Sequence, residues 1–266
     1  MKRIVTCMAI VSMLFGLVGT AVAGDIACWF PPDWKSKGAQ AKEIADALTA
    51  KSGVTVKPRI ATSYPQVLDA FTAGEPCLVY VGSFVQAIIR ERGIGVPLVQ
   101  AVNGKEFYGA WMIFPEGGNP AAILRENPEK IAYTAGASSG ESGAKAATAG
   151  KAAIRVASHD AAANAVKAGA AKAAFVKNWW WQANKEKFPG FVAHQVAGIS
   201  DAKNPDNVLT ASKGVPEAVR SKISEAAMGS AAVFGAQSMR RFDSKTLDFT
   251  VGLMHKGGID PKAYSW

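Results

Sequence analysis

Histidine and cysteine, from which many catalytic and metal centres are built, are nearly missing from this chain: three of each in 266 residues. His159, His194 and His255 lie far apart, and neither HExxH nor a cysteine–histidine spacing occurs, which excludes the usual zinc signatures. A Walker loop and a GxGxxG fingerprint are absent too, so nucleotide enzymes of the common kinds are disfavoured. Three cysteines cannot staple a disulfide scaffold. Beyond the first two dozen residues no apolar run approaches the ~20 residues that a spanning helix needs. No Ser-, Gly- or Pro-rich linker and no repeat of fixed period interrupts the chain. What is present is 49% hydrophobic and 19% charged, enough to fold around a substantial core. Lys and Arg outnumber Asp and Glu by 30 to 21, but the excess is spread along the chain and implies a cationic surface, not a nucleic-acid partner.

The first 23 residues stand apart. Lys2 and Arg3 precede an uncharged run over residues 4–22, and Ala21-Val22-Ala23 has the small-x-small pattern of a signal-peptidase site. The pattern predicts a signal peptide cut after Ala23 and export to the periplasm. No cysteine follows the cut, which argues against a lipid anchor. Cys28 and Cys77 would then meet an oxidising compartment, and their positions near the starts of two predicted strands leave open both a disulfide and two separately buried thiols.

After residue 23, strand and helix patterns alternate, as in an α/β protein with largely parallel sheets. Residues 26–30 form an apolar strand ended by Pro31-Pro32, and a helix from about Ala39 carries Ala41, Ile44, Ala45 and Leu48 on one face before Gly53 stops it. Ser63-Tyr64-Pro65-Gln66 reads as a capped helix entry, and Gly82-Ser83 opens another helix after the apolar strand at 77–81. A second block from Tyr108 repeats the theme. The expected organisation is two lobes sharing crossover strands: 24–105 with 205–266 as lobe 1 and 106–204 as lobe 2, with residues 247–255 and Asp260-Pro261 packing back on lobe 1.

Ser158-His159-Asp160 has the residues of a triad, but neighbours at a helix start diverge, and Ser158 reads better as an N-cap. The loop at 136–145, GASSGESGAK, is the most informative string. Small residues admit a ligand to the backbone, free N–H groups at a helix start favour an acceptor, and Ser138, Ser139 and Ser142 add hydroxyls. Glu141 fits equally a capping box with Ser138. Trp179, Trp180 and Trp181 cannot all be buried on one face; they suit either core and interface packing or, with Trp29 and Glu141, a cage for a cation.

Ser63-Tyr64-Pro65-Gln66-Val67-Leu68, AGEPCLVYVGSF, Glu141-Ser142-Gly143, Ser158-His159-Asp160-Ala161, AGAAKAAFV and NPDNVLTASKGVPEAVRSKI, in this order and spacing, resemble the phosphate/phosphite/phosphonate-binding proteins of periplasmic ABC transporters. The resemblance covers nearly all of the chain after the signal segment. It implies the two-lobed type 2 periplasmic-binding-protein fold, a small polar and most plausibly anionic ligand held between lobes, no cofactor, no catalysis, an inner-membrane ABC permease as partner, and a monomer. A sensor histidine kinase as partner is the alternative output, and an enzyme using the His159 region is the reading from another class. The resemblance puts Tyr64, Ser83, Ser139, Gly140, Glu141, Ser142, His159 and Lys177 at the ligand. Two departures bear on the ligand: Gly140-Glu141 stands where the family has Ser-Thr, and Lys177 replaces an acid that can hold a ligand ammonium, which disfavours an aminophosphonate. Gly82-Ser83 in place of Gly-Pro leaves one more donor free.

Overall fold

The computed structural model describes residues 24–266; the expected signal segment and its cleavage after Ala23 lie outside the described residues. The chain enters with β1 (Ile26–Phe30), α1 (Gly38–Ser52), β2 (Val56–Ile60), α2 (Tyr64–Thr72), β3 (Cys77–Val81), α3 (Ser83–Glu91) and β4 (Gly95–Val102). It crosses through β5 (Phe107–Tyr108) to β6 (Ala110–Pro115), α4 (Pro120–Glu126), β7 (Ile131–Thr134), α5 (Gly143–Ala147), β8 (Ile154–Val156), α6 (His159–Lys167), β9 (Ala173–Lys177), α7 (Asn178–Asn184) and β10 (Phe191–His194). It returns through β11 (Asn204–Pro205) to β12 (Val208–Ser212), α8 (Glu217–Met228), β13 (Ser238–Arg241) and α9 (Asp248–Lys256).

The outward and returning segments build one sheet of order β13-β4-β12-β3-β1-β2, and the middle builds another of order β10-β6-β9-β7-β8. The two crossings, β5 and β11, pair antiparallel as a small ribbon between them. Both large sheets are mixed and not largely parallel: β1, β2 and β3 run parallel, as do β7, β8 and β9, while β12, β13, β6 and β10 join antiparallel. A strand that arrives by the return crossing enters the first sheet from the opposite end, which reverses its direction.

Local chemistry explains the placement. β3 and β12 are buried at every residue, as strands covered on both faces must be, and they stand inside the first sheet. β2 contains Pro58, which cannot donate to a ladder, and β2 is an edge strand. Gly53 ends α1 in the left-handed conformation, φ +69°, as expected for a helix stop. Gly109, where the outgoing chain leaves β5, faces the Ser200 carbonyl so closely that a Cβ would lie 2.2 Å from it, so the two crossing segments meet backbone to backbone.

Cys28 opposes Leu78, and Cys77 opposes Ala27. That one-residue offset sends the two thiols to opposite faces of the sheet, and they are buried in different hydrophobic clusters as free cysteines. Burial raises both thiol pKa values, that of Cys77 to about 11.

The closing helix α9 departs from expectation. Instead of packing on the first sheet alone it is wedged between the two bodies: Val251 and Met254 join the core under α2 and α3, while Leu253 and Phe249 join the core of the second sheet.

Candidate functional site

Three helices begin at one crevice between the sheets. Tyr64 is the first residue of α2, Gly82 immediately precedes α3, and His159 is the first residue of α6; all three line a cavity of about 270 Å³. Each follows a strand, so the cavity sits at the carboxyl ends of β2, β3 and β8, where open α/β sheets place ligands. Helix N-termini carry unpaired N–H groups and the positive end of the peptide dipole, and three of them aimed at one space favour a negative charge there.

The second body contributes Gly136, Ala137, Ser138 and Ser139. Residues Ser138–Ser142 form one π-helical turn leading into α5, not the α-helical start that a capping box implies. The Ser138 hydroxyl accepts from Ser83 Oγ at 2.8 Å, and Ser83 Oγ also meets the Tyr108 hydroxyl at 2.7 Å, so one serine of the first body ties the loop of the second to the crossing strand β5. His159 has Thr134 Oγ1 at 3.0 Å from Nδ1 and Ser139 Oγ at 3.4 Å from Nε2. Burial, followed by the charge of Lys177, pushes its pKa down to about 3, so the ring faces the cavity neutral.

Lys177 closes another wall. Its ammonium is 2.7 Å from Asp206 Oδ1 and lies over the rings of Tyr108 and Trp179, 4.3 and 4.7 Å from their centroids. Of the tryptophan run, Trp181 is buried in the core against Phe188, Trp180 lines the cavity near His159, and Trp179 backs Lys177. The seat that could hold an external cation is therefore filled by the protein's own lysine, and Trp29 does not reach the cavity.

Of the residues expected at the ligand, Tyr64, Ser139, His159 and Lys177 line the cavity. Ser83 stands just behind it as the tie between bodies. Gly140, Glu141 and Ser142 do not line it. Gly140 packs so tightly on Thr134 that a Cβ would lie 2.6 Å from the Thr134 carbonyl oxygen. Glu141 turns away, accepting the Gly136 N–H at 2.8 Å and the Tyr264 hydroxyl at 3.0 Å. Ser142 is fully buried, and its hydroxyl has no hydrogen-bond partner among the described residues. The π turn is the reason: it places these three residues behind the wall that Ala137, Ser138 and Ser139 form. Sequence reasoning missed Asp33, Trp34, Lys37, Tyr108, Asp206 and Asn207, which also line the cavity. The first three occupy the 3-10 turn after Pro31, and that Pro-Pro break at the end of β1 was the available clue.

Gly136-Ala137-Ser138-Ser139-Gly140 also has the letters of a GxSxG nucleophile elbow after a strand. Ser138, in the nucleophile's place, bonds Ser83 and not a histidine. His159 contacts the neighbouring Ser139 weakly, and its other nitrogen is held by a threonine in place of a carboxylate. Ser158 caps α6 by accepting from the Ala161 N–H at 3.0 Å, while the Asp160 side chain bonds Asn164, so the adjacent string forms no triad. Among the described residues no group of three potential metal ligands occurs, and no helix is long and apolar enough to cross a membrane.

A pH dependence follows from His159. The unfolded chain takes up a proton near pH 6.5 that the folded ring refuses until about pH 3, so stability is complete above pH 6.5 and falls as pH drops through that window. The limiting slope for one proton is about 1.4 kcal/mol per pH unit. Denaturant melts between pH 7 and 4 should show a shallower acid loss in His159→Gln than in the wild type; identical slopes would contradict the burial of the neutral ring.

A family model described as the periplasmic substrate-binding protein of phosphonate ABC transporters matches residues 35–246. No curated protein sequence matches the chain. Among solved structures, XAC2383 from Xanthomonas citri bound to ATP superposes with a TM-score of 0.72 at 13% identity, covering 89% of this chain and 98% of that one. PhnD1 from Prochlorococcus marinus in complex with methylphosphonate gives 0.66 at 14% identity, over 87% of this chain and 97% of that one. A binding-protein component of an ABC phosphonate transporter from Pseudomonas aeruginosa gives 0.66 at 13% identity, over 87% of each chain. At such identities the structural likeness is one of fold.

Proposed function

The chain belongs to the periplasmic phosphonate-binding family of ABC-transporter substrate-binding proteins, and from that premise we propose that it captures a compact phosphonate lacking an amino group and delivers it to an inner-membrane permease. One observation carries the reading: the N-termini of α2, α3 and α6 converge on a single cavity of about 270 Å³ between the two bodies. That volume lies just below the ~300–1,000 Å³ of pockets for drug-sized ligands, which favours a compact guest.

The phosphonate oxygens face the helix N-termini, with hydroxyls of Tyr64, Ser138 and Ser139 and the neutral His159 as hydrogen-bond partners. Burial pushes the Tyr64 and Tyr108 phenols up, the latter to about 12, so both remain protonated donors at neutral pH. Lys177, already paired with Asp206, neutralises further negative charge and occupies the place a ligand ammonium would need. Capture follows from closure: 24–105 with 205–266 and 106–204 act as two bodies hinged at the β5–β11 ribbon, and a ligand that touches both shifts the population towards the closed form. The first 23 residues act as the export signal, cut after Ala23, and the protein works as a monomer.

A thermal-shift panel tests this. At 100 times its dissociation constant a ligand adds about 2.7 kcal/mol, which for a chain of this size raises melting by about 5–10 °C. Methylphosphonate is expected to do so in the wild type and to give a smaller shift in Tyr64→Phe, which loses the hydroxyl but keeps the ring stacked on Trp266, so its unliganded melting should stay near wild type. A panel in which ATP or amino acids, and no phosphonate, shift the wild type would overturn the assignment.

A further inference from the structure

The chain after α9 does not lie idle on the surface. Arg92, just past α3, donates from Nε to the Pro261 carbonyl at 3.3 Å and from Nη2 to the Tyr264 carbonyl, fixing the backbone of residues 261–264 to the first body. From there two aromatic side chains reach across the crevice. The Tyr264 ring packs edge-on against Phe84, and its hydroxyl donates to Glu141 of the second body, 3.0 Å from either carboxylate oxygen. Trp266 stacks on Tyr64, with centroids 5.5 Å apart and planes 10° apart, and covers Gly136 of the second body so closely that a Cβ there would lie 2.1 Å from the indole.

Both reach the same short segment. Gly136 is in the left-handed conformation, φ +70°, and its N–H donates to the Glu141 carboxylate that Tyr264 holds. Glu141 is 4% exposed, and Gly136 opens the run of Ala137, Ser138 and Ser139 that walls the cavity. A nearly buried carboxylate is satisfied by two donors here, one from its own loop and one from the opposite body. Removing the second leaves it short of partners, at a cost the loop can relieve only by moving.

We infer that Tyr264 and Trp266 are positioning residues for ligand capture: anchored on the first body through Arg92, they clasp the cavity-lining loop of the second and hold it in its binding conformation when the crevice is shut. The inference rests on the proposed function for its ligand but not for its contacts. In an opened molecule Glu141 and Gly136 move off with the second body, so the Tyr264–Glu141 bond and the cover over Gly136 form on closure and break on release. The clasp therefore acts on how long a ligand stays.

Tyr264→Phe removes one hydroxyl and keeps the ring, so its fold is not at risk. Calorimetry with methylphosphonate should show affinity weaker by about tenfold, the usual scale for one hydrogen bond to a charged group, carried by faster dissociation and with unliganded melting falling by less than the loss of affinity accounts for. Trp266→Ala should do likewise, and Trp266→Phe should restore most of the loss. A second readout needs no ligand: amide hydrogen exchange over residues 136–142 should quicken in Tyr264→Phe and in Trp266→Ala relative to wild type. Unchanged affinity together with unchanged exchange overturns the clasp, as does a loss of affinity matched by an equal fall in unliganded melting. If the wild type binds no phosphonate, the proposed function falls, and the exchange rates alone then decide the clasp.

Discussion

Gly136→Ala is expected to lower phosphonate affinity by at least about 100-fold, although it adds one methyl group. Two costs meet at this position. An L side chain at φ +70° pays about 1–2 kcal/mol for the left-handed conformation. The new Cβ also falls 2.1 and 2.2 Å from two atoms of the Trp266 indole, distances no packed pair tolerates, and a tight 3.1 Å from the Tyr64 ring. The indole leaves its stack on Tyr64 and the strained loop carrying Ser138 and Ser139 recedes, so the clasp and the cavity wall are lost together. Two lost charge-scale contacts at about 1.4 kcal/mol per tenfold produce the stated loss. Gly169 supplies the control: it too has positive φ, +74°, but a Cβ there meets nothing within 4 Å. Gly169→Ala should pay the conformational cost in melting temperature alone and bind methylphosphonate as the wild type does. Equal affinities in the two variants would refute the close approach at Gly136.

Lys177→Ala is expected to invert the preference between methylphosphonate and 2-aminoethylphosphonate. In the wild type a built-in ammonium occupies the space between Tyr108, Trp179 and Asp206. A ligand amine has no partner left and meets a like charge, so the wild type should refuse the amino compound. Truncation vacates the seat and leaves a carboxylate and two aromatic faces to receive an external cation. A cation–π contact of up to about 2 kcal/mol and a charged hydrogen bond of about 1.5–3 kcal/mol correspond to a change in relative affinity on the order of 100-fold or more. Lys177→Met fills the same volume without the charge and should not gain the amine. Competition calorimetry with both ligands decides it; an amino compound bound equally by wild type and Lys177→Ala would show that Lys177 sets no specificity.

Much of the order of strands and helices was legible because their signals are local, although β4 and β13 were not read. Gly53, Pro65 and Ser158 each mark a boundary through backbone chemistry that a neighbourhood of a few residues determines. The helix starts at Tyr64, Ser83 and His159 were readable for the same reason, but the assignment of Tyr64 and His159 to the ligand came from the family resemblance, and Ser83 stands behind the cavity. Long-range geometry hid the rest. Asp33, Trp34 and Lys37 sit in a 3-10 turn, and Asp206 and Asn207 beside β11; beyond the Pro31-Pro32 break, nothing in either stretch announces that the two line one cavity. The loop at 136–145 misled in a specific way. Ser138-x-x-Glu141 has the spacing of an α-helical cap, but the chain makes a wider π turn, so Glu141 and Ser142 end behind the wall, and Glu141 bonds Gly136 and Tyr264 in place of a ligand. The two cysteines show a similar limit. Being in adjacent strands did not make them partners, because a register offset of one residue reverses the face.

Helix α9 carries a lesson for anyone building chimeras from this scaffold. By chain position it follows the return crossing and would be grafted with the first body, but Leu253 is buried in the core of the second and Phe249 packs half-buried against it. A recombinant that exchanges only the central segment, 106–204, would set those two side chains against a foreign surface. A faithful transplant has to carry the donor's residues at positions 249 and 253 with the central segment and keep Val251 and Met254, which pack on the first body.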